Sequence, residues 1–355
     1  MGRGGFVNDG AGDSNRNAAP AILHRDRLVL GGTAIAAGET AEIRLKVAES
    51  YTAEPISIPV TIVRGAPGPT VFVTASVHGD ELNGVAVVRG LLNDVDFSPL
   101  KGTVIAVPVV NVPGFLNQNR ELPDRRDLNR SFPGSPRGSL TARLADVLFR
   151  EVIRQSDYGI DLHTGGGERT NYPQVRADLS DPRVAEIADA FGCSLVLDGA
   201  GPEQSLRRTA VSAGVPTIVY EAGSARRFER PVIEIGVAGV LNVLRHLGMM
   251  PGEPELPPVR LRPADTRWVR AQMGGILDLR VELGQPLRRG ETISVNTNPF
   301  GRGRNQLTVP SNGLALGLTQ LPLVHPGDPV CHLARLEAAE WEAWSAYWES
   351  GRIRP

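Results

Sequence analysis

The chain has 355 residues, 41% of them apolar and 22% charged, with a formal net charge of −1. These are ordinary values for a soluble globular protein of two domains, or one large domain with an addition, and the near-neutral balance offers no overall field to nucleic acid or an anionic membrane. No stretch reaches the ~20 apolar residues of a membrane span, and Cys193 and Cys331 are too few for a disulfide framework.

Residues 1–20 are rich in Gly, Asn and Asp and lack an apolar run, which predicts a disordered tail, not a secretory signal. The cytoplasm is therefore the default location. A hydrolase-like domain is expected over residues 21–250. Within it, Thr40–Val47 alternates polar and apolar residues as a half-exposed strand does, Ile56–Val63 follows as a second strand, and Gly65-Ala-Pro-Gly-Pro69 reads as a turn. Strands and helices then alternate. Strands are expected at Val71–Ser76, Gly102–Val110, Tyr158–Leu162, Ser194–Leu197 and Pro216–Tyr220, and helices at Asn83–Leu92, Leu140–Gln155, Pro182–Phe191, Ser205–Ala213 and Val232–Leu247. Such alternation implies an α/β fold with a mostly parallel mixed sheet flanked by helices, with ligands bound beyond the carboxyl ends of the strands.

Residues 251–258, Pro251-Gly-Glu-Pro-Glu-Leu-Pro-Pro258, form a linker by composition. Residues 259–355 change to short strands and Gly-Pro turns, a small all-β domain closed by an amphipathic helix over Glu337–Trp348. Trp341, Trp344 and Trp348 lie on one stripe of that helix, a pattern that core packing explains.

The residues able to do chemistry follow the strands. His78 and Glu81 sit where the Val71–Ser76 strand gives way to a helix, and His163 ends the strand Gly159-Ile-Asp-Leu-His163. Two imidazoles and one carboxylate make up the ligand set of a catalytic zinc with one open position. Asp161 shares a strand face with His163 and can orient its imidazole. The stretch from Asn117 to Gly134 is too charged and turn-rich for core. Arg120, Arg125, Arg126, Asp127, Asn129 and Arg130 lie within it, and an arginine there can fork onto a carboxylate or polarise a carbonyl. Glu221, at the end of an apolar strand, has the place of a general base for metal-activated water. The glycine-rich stretch after His163 reads as a loop, either plain surface or a pocket wall carrying Arg169, Tyr172 and Arg176.

Together, His78-Gly-Asp-Glu81, Asp127-Leu-Asn129-Arg130-Ser-Phe-Pro-Gly134, Asp161-Leu-His163-Thr and Glu221-Ala-Gly resemble the succinylglutamate desuccinylase/aspartoacylase family, a branch of the zinc carboxypeptidase-like hydrolases. The likeness runs from Val71 to Leu247, with the motifs in the family's order. It implies one Zn2+ per chain held by His78, Glu81 and His163, with Glu221 as base and proton shuttle. It also implies an arginine that stabilises the oxyanion. Arg120, Arg125 and Arg126 compete for that role, with Arg120 preferred. Asn129 and Arg130, with Asp127, Arg176 and Tyr172 around them, are expected to bind the substrate.

The C-terminal region is similar to a biotinyl/lipoyl-type sandwich through Val281-Glu-Leu-Gly-Gln-Pro-Leu-Arg-Arg-Gly290. A covalent carrier needs an acceptor lysine, and no lysine follows Lys101, so a structural or homo-oligomer-forming role is preferred. The resemblance thus implies a zinc-dependent deacylase acting on an N-acylated amino acid that carries a carboxylate, with no nucleic-acid or membrane partner. The alternatives are a carboxypeptidase for short peptides, an esterase, and a non-catalytic carboxylate-binding member.

Overall fold

A computed structural model describes residues 28–351. The expected N-terminal tail lies outside the described residues. In chain order the elements begin with a small hairpin of β1 (Leu28–Leu30) and β2 (Thr33–Ile35). Next come β3 (Thr40–Glu49), β4 (Pro55–Arg64), β5 (Ala66–Ala75), α1 (Asn83–Asp94), β6 (Lys101–Val107), α2 (Val112–Leu116) and α3 (Leu140–Glu151). The run continues with β7 (Tyr158–Gly165), β8 (Arg169–Ala177), α4 (Pro182–Phe191), β9 (Val196–Asp198), α5 (Leu206–Ser212), β10 (Thr217–Ser224) and α6 (Arg230–His246). The C-terminal part holds β11 (Asp265–Arg270), β12 (Gly275–Leu279), β13 (Pro286–Leu287), β14 (Thr292–Thr297) and β15 (Asn305–Thr308). It closes with β16 (Gly313–Thr319), β17 (Leu323–Val324), β18 (Pro329–Arg335) and α7 (Ala338–Glu349).

The large sheet has twelve strands and runs β11-β18-β16-β8-β10-β7-β5-β6-β4-β3, with β9 beside β8 and β13 beside β16. Its centre, β10-β7-β5-β6, is parallel. Both flanks are antiparallel, so the sheet is mixed rather than mostly parallel. The reason lies in the connections. Helical crossovers return the chain parallel, whereas the tight link from β3 to β4 can only make an antiparallel pair. Two other expectations change. Ala66 already pairs with Lys101, so most of the stretch read as a turn belongs to β5. The glycine-rich stretch after His163 is a loop only as far as Glu168, after which the chain forms β8 between β10 and β16.

Helices cover both faces of the sheet. One apolar cluster packs α1, α4 and α6 on β5, β7 and β10, through Val87, Leu91, Ile187 and Val240. The other packs α3 and α5 on the opposite face, through Leu144, Leu148, Leu206 and Ala210. Local chemistry sets the helix ends. Asp181 accepts a hydrogen bond from Arg183 N, Pro182 opens α4, and Gly192, at φ 84°, closes it. Cys193 and Cys331 are buried free thiols. No helix among the described residues is long and apolar enough to cross a membrane.

Residues 251–264 form no strand or helix apart from a bridge of Leu261 to Leu195. The main sheet nevertheless continues past them, because β16 pairs with β8 and carries β18 and β11 with it. A four-stranded sheet, β15-β14-β12-β17, completes the C-terminal all-β part. Trp344 of α7 is wholly buried against Tyr172, Leu195 and Leu316, with Trp341 and Trp348 packed at the edge of the cluster. Trp344→Ala is expected to cost about 3–5 kcal/mol, read as a lower denaturant midpoint at unchanged m-value. A midpoint equal to wild type would show that α7 does not anchor this cluster.

Candidate active site

β5 and β7 are parallel neighbours, so both deliver their carboxyl ends to one edge of the sheet. His78 and Glu81 lie just beyond β5, and His163 lies among the last residues of β7. All three are nearly sealed from solvent, at 3%, 2% and 4% exposure. Glu81 sits between the rings, with His78 Nδ1 2.8 Å from Oε1 and His163 Nδ1 2.9 Å from Oε2. One donor atom from each of the three lies within 4.8 Å of the others.

The far nitrogens are also held. His78 Nε2 is 3.2 Å from Asp127 Oδ1, and His163 Nε2 is 2.8 Å from Asp161 Oδ2. Thr74 Oγ1 donates to the other Asp161 oxygen at 2.8 Å. Burial alone would raise the Glu81 carboxyl, but His78 and His163 hold it well below the usual carboxylate range. Burial likewise opposes protonation of His163, yet Asp161 and Glu81 outweigh it and raise the imidazole well above its ordinary value. The same balance, through Glu81 and Asp127, raises His78. Carboxylates on both nitrogens of each ring shift its balance toward the protonated form. A divalent ion in place of the Nδ1 protons would satisfy Glu81 equally and leave each Nε2–H donating to an aspartate, so the donor set fits a metal such as zinc.

The other predicted residues separate. Arg120 borders the cluster, donating to Asp127 Oδ2 at 2.9 Å and to Glu81 Oε1 at 3.4 Å. Arg125 and Arg126 are exposed, and neither is among the cavity's lining residues. Asp127 was expected to meet substrate. Instead its carboxylate is occupied by His78, Arg120 and the backbone N–H of Asn129. Despite a burial cost that raises it, His78 and Arg120 keep that carboxyl far below its ordinary value. Asn129 accepts from Leu206 N at 2.8 Å, tying the loop to the start of α5, and borders the cavity beside Arg130. Glu221 is the β10 neighbour of His163 and faces the same cavity, and Arg176 also reaches it. Tyr172 does not. It is buried edge-to-face on Trp344, with ring centroids 5.7 Å apart. A register shift between β8 and β10 breaks the alternation of side chains, so Asn171 and Arg176, an odd number of residues apart, both border the cavity.

The cavity, about 560 Å³, has three further groups that sequence reading missed. Arg207, on α5, is only 6% exposed, and among the described residues its Nη1 has no hydrogen-bond partner. Burial and the neighbouring Arg176 bring it down to about 10, so it stays charged at neutral pH. Trp268 and His332 come from the C-terminal part and stack at 4.6 Å, with Arg169 over the Trp268 ring. Burial, Arg176 and Arg169 push the His332 imidazole down to about 4, so it is neutral. Arg207 left one signal in the chain, a charge beside the apolar stripe of an amphipathic helix. Trp268 and His332 left none.

An open α/β sheet with a buried two-histidine, one-carboxylate cluster, and a further carboxylate on the adjoining strand of the same cationic cleft, has the donor set of a metal-dependent hydrolase. Comparison with known proteins makes the class specific. The family model for the succinylglutamate desuccinylase/aspartoacylase catalytic domain matches residues 67–247, and the chain belongs to that family. It is 33% identical over 255 residues to the N-alpha-acetyl-L-2,4-diaminobutyric acid deacetylase of Halomonas elongata, covering 67% of this chain and 73% of the relative. Among solved structures it is similar to a succinylglutamate desuccinylase/aspartoacylase from Rhodobacter sphaeroides, with TM-score 0.75 and 27% identity over 84% of this chain and 96% of the other. It is also similar to the product-bound ectoine utilization protein EutE (DoeB) from Ruegeria pomeroyi, with TM-score 0.76 and 25% identity over 84% and 95% of the two chains.

His78→Ala or His163→Ala is expected to abolish stoichiometric metal binding, and Asp161→Asn to weaken it about 10- to 100-fold. Metal analysis of protein dialysed against zinc checks both; full occupancy in His78→Ala would refute the ligand set.

Proposed function

We propose that the protein is a zinc-dependent amidohydrolase that removes the acyl group from an N-acylated amino acid carrying a free carboxylate. The observation that carries this reading is a buried His78–Glu81–His163 cluster opening, with Glu221, onto a cavity lined by arginines. A zinc ion held by the three would act as a Lewis acid toward water and the scissile carbonyl. Glu221 takes the proton of the attacking water and hands it to the nitrogen of the departing amine. Arg120, braced by Asp127, faces the oxygen on which charge develops. Asn129, Arg130, Arg176 and Arg207 take the carboxylate. Buried N–H groups on Arg176 and Arg207 that donate no hydrogen bond among the described residues favour an anionic ligand, because a buried donor is costly until something accepts from it. The C-terminal β-region, in its likeness to a biotinyl/lipoyl sandwich, supplies a cavity wall and a surface for self-assembly, and the enzyme works in the cytoplasm on a small molecule.

The test is a panel assay of the zinc-loaded protein on N-acetyl-L-aspartate, Nα-acetyl-L-2,4-diaminobutyrate, dipeptides and acyl esters. Release of free amino acid from an N-acetyl substrate is expected, and turnover confined to dipeptides would replace the deacylase reading with a carboxypeptidase one. On the best substrate, Glu221→Gln keeps its zinc and loses about 10²-fold or more in kcat. Arg207→Met raises KM about 10- to 100-fold, and an unchanged KM would remove Arg207 from the carboxylate site.

A further inference from the structure

We infer that Asn171 is a positioning residue for Glu221 and that strand β16 of the C-terminal part locks it in place through Gly317. The inference rests on the reading of Glu221 as the general base. Asn171 is 7% exposed and donates from Nδ2 to Glu221 Oε2 at 2.8 Å. A carboxylate only accepts, so the amide must present its NH2 to Glu221 and its Oδ1 to the other side. That other side is the backbone of β16, where Gly317 pairs with Asn171. A Cβ at position 317 would stand 2.9 Å from Asn171 Oδ1. Glycine is therefore what allows the amide to lie flat between the two strands with its donor aimed at the base.

The geometry also divides the work of the two Glu221 oxygens. Oε2 is anchored by the amide. Among the described residues, Oε1 accepts no hydrogen bond and faces Arg176 Nε at ion-pair range, 3.7 Å. Oε1 is thus the oxygen that receives the proton from water and releases it to the amine nitrogen. Anchoring one oxygen holds the other on the cavity side, where it can serve both transfers. Misplacing a reacting group by about 1 Å costs about 10²-fold in rate. The catalytic carboxylate is in this way placed by a strand of the C-terminal part, through one amide.

The experiment compares wild type with Asn171→Ala, Gly317→Ala, the double variant and Glu221→Gln. All are zinc-loaded and assayed on N-acetyl-L-aspartate and Nα-acetyl-L-2,4-diaminobutyrate. Asn171→Ala is expected to lose about 10- to 100-fold in kcat with KM and zinc content unchanged. Gly317→Ala, which removes no hydrogen-bonding group, is expected to fall in the same direction. The double variant should lie close to Asn171→Ala, since the added methyl then has no amide to displace and meets only Thr170 O, at 3.2 Å, and His332 Cβ, at 3.4 Å. Crystal structures of both single variants should show the Glu221 carboxylate moved from its wild-type place. If Asn171→Ala does not fold, Gly317→Ala decides the matter alone. Wild-type kcat in a folded single variant, or an unmoved Glu221, overturns the inference while leaving the general-base reading intact if Glu221→Gln is inactive. An active Glu221→Gln instead brings down the general-base reading itself.

Discussion

A carboxylate buried between two imidazoles is tolerable only if every charge in the group is answered. Glu81 meets that condition with one oxygen facing each Nδ1, and the rings meet it by turning their far nitrogens to Asp127 and Asp161. Much of the fold follows from this arrangement. β5 and β7 must be parallel neighbours so that His78 and His163 emerge at the same edge. Thr74, on β5, must reach Asp161, on β7. The loop between α2 and α3 must fold back to bring Asp127 and Arg120 against His78. Helices on both faces then bury the strands, and the low-dielectric surroundings strengthen each of these contacts.

Around that cluster the charges are lopsided. Arg120, Arg130, Arg169, Arg176 and Arg207 border the cavity, against Glu81 and Glu221. In a molecule of near-zero net charge, such a concentration gives the cleft a local positive field. The field is shaped from two directions. Arg207 comes from α5, whose first turn is tied to Asn129. Trp268 and His332 come from strands β11 and β18, more than a hundred residues beyond His163. His332 stays neutral because burial, and after it Arg176 and Arg169, disfavour a further cation there.

Continuity of the main sheet makes the C-terminal part integral to the cleft rather than an appendage. β8 is the hinge of this arrangement, with β10 and its Glu221 on one side and β16 on the other. Along the chain it reads as part of a glycine-rich loop. Gly165-Gly-Gly obscured the strand that follows, and Pro173 and the register shift spoiled its alternation. The same shift sent Tyr172 into the apolar cluster with Trp344 and turned Asn171 toward Glu221.

Much was legible in advance because it is encoded locally. Helix starts such as Pro182, the apolar runs of β5 and β7, and the strand-end donors His78, Glu81 and His163, which the fold brings together, all lie within short windows of the chain. In an α/β sheet, residues at the ends of strands share one edge whatever the details. Pairing between distant strands has no such local record. That β8 lies between β10 and β16, that Asp127 supports His78, and that Arg207, Trp268 and His332 wall the cleft were settled only when remote segments came into register. A side chain's neighbours across a sheet depend on register and bulges, and a shift of one residue reverses the face it occupies.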